Sequence, residues 1–156
     1  MNWSETPSEQ VKRVTAATLK AIAGTAEVEV AYSAGNEAKV ATSGATVRLP
    51  TPPESAVSES DITRLRGAAD AVALRLRYHD SGLHQRCRPQ GSDAAKVFER
   101  AEQVRVESLG FRRMHGVAKN LKAMLDTRCQ AHAPEPGTDE GQPDALLAEA
   151  IGLLVH

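Results

Sequence analysis

What this chain has little of narrows its class quickly. Aromatic residues are scarce, with one Trp, two Tyr and two Phe, so both an aromatic-rich sandwich core and a base-stacking nucleic-acid surface are poorly supplied. Only two cysteines occur, Cys87 and Cys129, and neither sits in a CxxC spacing. Neither a disulfide framework nor a four-ligand zinc site is indicated, and this suits a reducing cytosol. No stretch approaches the roughly 18 consecutive apolar residues that span a bilayer. The start, Met1-Asn2-Trp3-Ser4-Glu5-Thr6, has no basic segment followed by an apolar one, so a soluble, cytoplasmic chain without a membrane partner is expected. Also missing are GxxxxGKS/T, GxSxG, HExxH and a Gly-rich strand-to-helix turn. These are the local devices that hold ATP phosphates, a nucleophilic serine, a catalytic zinc or a dinucleotide. The chain does not read as a self-contained enzyme.

What is present has the proportions of one globular domain: 156 residues, 41% hydrophobic and 25% charged. The apolar share leans on alanine, which lets helices approach closely and favours an α-rich fold. The net charge of -1 conceals an asymmetry. Residues 1–63 carry -3, residues 64–128 carry +7 and residues 129–156 carry -5, so the middle is basic and the tail acidic.

Along the chain, Thr6-Pro7-Ser8-Glu9 has the form of a capping box with proline in the first turn. Val11, Val14, Thr18 and Ile22 then recur at helical spacing until Gly24, which predicts a helix over 7–23. Glu27 to Tyr32 alternates with period two, placing Val28, Val30 and Tyr32 on one side of a strand. Turn residues Gly35-Asn36 and Ser43-Gly44 frame two more short candidates, 38–42 and 45–49. The expectation is a small antiparallel β-meander over about 27–49, packed on helices. Pro50-Thr51-Pro52-Pro53 reads as an extended connection. Ser58 with Asp61 caps a long helix to about His79, with Ile62, Leu65, Ala69, Val72 and Leu76 inward. Pro89-Gln90-Gly91 breaks the chain, and Ser92 opens a helix whose buried face is expected to hold Val97, Phe98, Ala101 and Val104, ending near Gly110. A last basic helix carries Met114, Val117, Ala118, Leu121, Met124 and Leu125 opposite Lys119 and Lys122. Residues 131–143, with three prolines, read as a linker after a domain over 1–130, and 144–156 as a short terminal helix. The fold class is α+β, predominantly helical, with helices bundled beside the small sheet.

Few residues suggest chemistry. His79-Asp80 with His84, and His115 further on, offers imidazole and carboxylate, common transition-metal ligands. At a helix end such residues more often cap or pair, and that is the favoured reading. Glu102 and Arg105 lie three apart on one helix face, with Gln103 and Glu107 adjacent on another. Paired carboxylates can do acid–base work, but charges at helical spacing more commonly form a solvated face or an internal network. Arg112-Arg113 beside Lys119 and Lys122 could attract phosphate. Without interleaved aromatics or a helix-turn-helix, an acidic protein segment is the better partner and nucleic acid the weaker one.

With these residues in view, the chain resembles the CobT subunit of aerobic cobaltochelatase. The likeness runs through Leu65-Arg66-Gly67-Ala68-Ala69-Asp70, His79-Asp80 with His84, and Pro89-Gln90-Gly91. It is most specific from Val97-Phe98-Glu99 through Glu102-Gln103-Val104-Arg105-Val106-Glu107 to Arg112-Arg113-Met114-His115-Gly116-Val117-Ala118-Lys119-Asn120-Leu121. The resemblance implies a chelatase complex in which a large subunit binds the corrin, an AAA+ subunit hydrolyses ATP with magnesium, and CobT couples to that motor. The reaction implied is insertion of cobalt into hydrogenobyrinic acid a,c-diamide. The family continues into a von Willebrand factor A domain whose DxSxS motif is not found here, so the chain looks like an N-terminal, non-catalytic part. It is expected to bind no cofactor itself and to self-associate. Arg112, Arg113 and Asn120 are its docking candidates, and His79, Asp80, His84, Glu102, Arg105 and Glu107 its interface or structural network. Two rival readings stay open: a metal-dependent enzyme centred on His79, Asp80 and His84, and a helical regulator that binds nucleic acid.

Overall fold

In the computed structural model, residues 5–35, 38–41, 46–54 and 56–131 are described, with side chains to Thr127. The element order is α1 (Pro7–Ala23), β1 (Glu29–Ser33), β2 (Lys39–Val40), β3 (Thr46–Pro50), α2 (Glu59–Tyr78), α3 (Ser81–Cys87), α4 (Ser92–Arg113) and α5 (His115–Ala131). The α+β class, mostly helical with a small sheet near the N-terminus, is as the sequence indicated. Both long capped helices start at their capping boxes. The Glu9 amide donates to Thr6 Oγ1 at 3.2 Å and the Thr6 amide to Glu9 Oε2 at 3.0 Å. The Asp61 amide donates to Ser58 Oγ at 3.1 Å and the Ser58 amide to Asp61 Oδ2 at 3.2 Å, so each box satisfies two otherwise orphaned donors. At the other end of α1, Gly24 takes a left-handed φ of 73° and donates to the Lys20 carbonyl at 3.0 Å, a conformation that costs glycine nothing.

The sheet corrects one expectation. It is mixed, not an antiparallel meander, with strand order β1-β3-β2. β1 runs parallel to β3 (Val30 opposite Val47, Tyr32 opposite Leu49) and β2 runs antiparallel to it. The reason lies in burial. Val47 and Leu49 of β3 are fully buried, so the most apolar strand takes the centre, where neighbours cover both its edges. β1, with exposed ends, and the short polar β2 take the edges. Tyr32 of β1 ties the sheet to α1 by donating its hydroxyl to the Lys12 carbonyl at 2.6 Å.

α2 is the central element. From Leu65 to Leu74 it is buried everywhere except Arg66. One side, Leu65, Ala69, Val72 and Ala73, joins Leu19, Ala23, Val28, Val47 and Leu49 in a core with α1 and the sheet. The other, Ala71 and Leu74, packs with Val106 of α4 and Val117, Leu121 and Met124 of α5. Small residues allow these approaches. A Cβ on Gly67 would stand 2.7 Å from the Asn120 carbonyl oxygen and 2.8 Å from Met124 Cβ, and one on Gly110 would stand 2.4 Å from a Leu74 methyl. Two buried stripes differ from the periodicity reading. On α1 the inward face runs through Ser8, Thr15, Leu19 and Ala23, which leaves Val14 and Thr18 outside. On α4, Val97 and Ala101 are exposed, while Ala95, Val104, Val106, Glu107 and Gly110 are buried. The first turns of α4 meet α2 and α3 through Glu99, held by Arg75 and His84, so they need no apolar stripe. The short α3 and the extension of α4 to Arg113 were not foreseen either. The expected terminal helix and all of the expected linker but Ala131, which ends α5, lie outside the described residues. Among the described residues no helix is long and apolar enough to cross a membrane.

Candidate functional site

The candidate residues fall into two polar regions on different sides of α2. The first is the junction of the α2 C-terminus, α3 and α4. α2 stops at Tyr78 because His79 turns extended, with φ -88° and ψ 128°. The chain re-enters a helix at once under Asp80, whose carboxylate accepts the Leu83 amide at 2.8 Å. This tight restart points both imidazoles at α4. His79 Nδ1 lies 2.8 Å from Glu102 Oε1, and His84 Nε2 lies 2.7 Å from Glu99 Oε2. The two rings meet edge to face with centroids 4.8 Å apart, and His84 also stacks on Phe98 at 4.7 Å.

Glu102 is the hub. Arg105 grips it with Nε on Oε2 at 2.7 Å and Nη2 on Oε1 at 2.8 Å, and the same Nη2 donates to the Tyr78 carbonyl at 2.9 Å. The Arg105 guanidinium and the His79 bond hold the Glu102 carboxyl down to about 2 against the smaller opposing push of burial, and the carboxylate in turn raises Arg105. Deeper in the same seam, Arg75 reaches both Glu99 and Gln103 Oε1. Gln103 Nε2 donates to the Ala71 carbonyl at 3.3 Å and to Glu107 Oε1 at 2.8 Å. Glu107 is 1% exposed, so that amide gives a buried carboxylate a needed donor. Each imidazole already has a carboxylate, and Asp80 is spent on a cap. Among the described residues no three His, Cys, Asp or Glu side chains are arranged to hold a metal ion.

The second region lies between α1, α2 and the start of α5, around a cavity of about 280 Å³. Its lining includes Asp70 and Arg66 of α2, Thr15 of α1, and His115, Gly116 and Asn120 of α5. Asp70 is 3% exposed and accepts from Asn120 Nδ2 at 2.8 Å. Burial pushes its carboxyl up to about 6, against the Asn120 hydrogen bond and the nearby Arg66 charge. Asn120, expected on a docking face, is thus committed inward. Arg112 is exposed at the end of α4, and Arg113 lies over the Tyr78 ring at 5.7 Å, with Nη1 3.4 Å from its hydroxyl. His115 is exposed at the cavity rim, far in sequence from the pair it was grouped with.

The structure therefore brings His79, His84, Glu102 and Arg105 into one network, places Glu107 at its buried end, lets Arg113 meet it only through Tyr78, and separates Asn120 and Arg112 from it. Sequence reasoning missed Arg75 and Glu99 as members, because nothing local pairs positions 24 apart. It also missed Asp70 as the charged centre of the second region. A signal for Asp70 existed: a lone carboxylate inside Ala68-Ala69-Asp70-Ala71-Val72-Ala73, where every neighbour is apolar, has no solvated face to occupy.

No solved structure matches the chain. A family model described as cobalamin biosynthesis protein CobT matches residues 5–156, covering both polar regions and every described element, and the chain belongs to this CobT family of cobalamin biosynthesis.

Proposed function

We propose that the chain is a subunit domain of the ATP-dependent cobaltochelatase that inserts cobalt into hydrogenobyrinic acid a,c-diamide, and that it acts there as an assembly and coupling scaffold. Family membership supports the pathway. The observation that carries the scaffold role is the state of the junction: His79, His84, Glu102 and Arg105 are bonded to one another or to Glu99 and backbone. Such groups lock helices together and leave no acid–base pair facing an open substrate site. Cobalt enters this reading as substrate. ATP and magnesium belong to the AAA+ partner, since the chain has no phosphate-cradling loop. The exposed cations Arg112, Lys119 and Lys122, with Arg113, form the docking face for the AAA+ subunit or the large corrin-binding subunit. The complex is cytoplasmic, and the chain self-associates within it.

The test is capture of the AAA+ and large subunits by this chain, with and without nucleotide, at near-physiological salt. Nucleotide-sensitive capture of the AAA+ subunit is expected, and Arg112→Ala/Arg113→Ala should weaken it at least tenfold while the helical circular dichroism stays unchanged. Capture of neither subunit would overturn the scaffold reading; capture untouched by the double substitution would move the docking face elsewhere.

A further inference from the structure

The cavity beside Asp70 is not used by the scaffold reading, and its chemistry is specific. Among its lining residues, Asp70 and Asn120 offer acceptors. One Asp70 oxygen takes the Asn120 Nδ2 hydrogen bond, the only hydrogen bond of that carboxylate among the described residues. With Nδ2 so used, Asn120 has its carbonyl oxygen left as an acceptor. Arg66 and the start of α5, also in the lining, offer donors. Arg66 lies close enough to act on the Asp70 charge. The first-turn amides of α5, at His115, Gly116 and Val117, have no carbonyl one turn earlier within the helix. Met114 before them carries no side-chain oxygen to cap them, and a Cβ on Gly116 would meet nothing within 4 Å, so there is room beside that turn. Acceptors and donors in one lining fit a group with N–H and C=O side by side. A carboxylate would meet Asp70, and an ammonium would meet Arg66 and the positive end of α5. The volume of about 280 Å³ is far more than one water needs and sits at the lower edge of ligand pockets, enough for a small molecule or one arm of a larger one.

We propose that this cavity binds a small molecule through a primary carboxamide, its N–H group donated to Asp70 and Asn120 and its carbonyl received by Arg66 and the first turn of α5. The Asp70–Asn120 pair is then a binding element as well as a packing one. Recognition rests on the N–H group, because a carboxylate buried with a single donor gains most from a second.

The test is two-dimensional amide NMR of the whole chain at pH 7.5, titrated with propionamide, N,N-dimethylpropionamide and propionate. Propionamide should give saturable shifts, on the order of millimolar in Kd for so few atoms, at Gly116, Val117 and the Asn120 side-chain amide. The dimethyl amide and propionate should bind at least fivefold more weakly. Asp70→Asn presents an NH2 where the wild type presents an oxygen, so its preference should invert toward the dimethyl amide, which loss of packing alone does not produce. Independently, Arg66→Ala, at an exposed position, should weaken propionamide at least threefold in a folded chain. A heptapeptide carrying one Gln that binds more tightly than propionamide would assign the amide to a protein partner and keep the recognition chemistry. No saturable shift at these residues, or equal binding of propionamide and its dimethyl analogue, would overturn the proposal.

Discussion

Two carboxylates on neighbouring helix faces, Asp70 at the α2–α5 contact and Glu102 at the α2–α4 contact, are shifted in opposite directions. Asp70 is pushed up to about 6 and Glu102 held down to about 2. Neither is open to solvent: Asp70 is 3% exposed and the Glu102 side chain 14%. What differs is the company. Glu102 has two bonds from Arg105 and one from His79, whereas Asp70 has one neutral amide and a more distant guanidinium. Desolvation dominates where hydrogen-bond donors are few, and a guanidinium bonded twice outweighs it where donors converge. The lesson is a division of labour. The Glu102 region is a closed latch, and the Asp70 region is an incompletely satisfied site with room beside it.

Gly67→Ala should give the largest effect and break the comparison on one side only. Its new Cβ would stand 2.7 Å from the Asn120 carbonyl oxygen and 2.8 Å from Met124 Cβ. These are backbone or next to it, so α5 as a whole must shift. Overpacking of this kind costs about 3 kcal/mol or more. Denaturant melts should show that loss. In the fraction that stays folded, the Asn120 side-chain resonances should move while those of His79 and His84 hold, because the hydrogen bonds of the latch join α2, α3 and α4 and none runs to α5. Equal disturbance of both would mean that the two regions act as one unit.

Asp70→Asn ranks next and has a pH signature. The folded carboxyl titrates near 6, above its ordinary value of 3.8. The native state therefore binds more protons than the unfolded one between those values, and stability falls as pH rises from about 4 through 6. Asparagine keeps an acceptor for Asn120 and carries no charge to bury. The variant should match the wild type near pH 4 and exceed it by about 2–3 kcal/mol at pH 8, the cost of roughly two pKa units. A pH-independent difference would show that the Asp70 carboxyl is not raised in the folded chain.

How much of this contrast was legible from the sequence follows the distance over which each feature acts. Helix starts at Thr6 and Ser58, the stop at Gly24 and the fold class were readable, because caps and periodicity are local. The strands were readable as segments. Their order was not: β3 takes the centre because α2 covers Val47 and Leu49, a tertiary fact. Likewise the pattern on α4 misled at Val97 and Ala101, since apolar spacing does not say that the first turns of α4 meet their neighbours through Glu99. The His79, Glu102 and Arg105 group was named from its residue types, but Arg75 and Glu99, positions on two helices 24 apart, join only once α2 and α4 pack. Asp70 was overlooked because its meaning is the absence of company, which becomes visible only when its neighbours are placed.

Glu102→Gln is the smallest of these effects and the sharpest test of the latch. Gln keeps the shape and one acceptor but loses the charge that Arg105 and His79 share. Arg105 is half exposed, at 50% of its side-chain surface, so water screens much of the loss, and a cost of about 1–2 kcal/mol at neutral pH is expected. Its pH dependence runs opposite to that of Asp70→Asn. Because the folded Glu102 carboxyl sits near 2, below its ordinary 4.5, its contribution is fully present above about 4.5 and fades as pH falls toward 2. The gap between Glu102→Gln and wild type should therefore close on acidification, while the gap for Asp70→Asn opens as pH rises from 4. Hydrogen exchange should localise the loss, with faster exchange in α3 and the last turn of α2 and unchanged exchange in α5. If α5 exchanges faster as well, Glu102 holds more than its own junction, and the separation of the two regions fails.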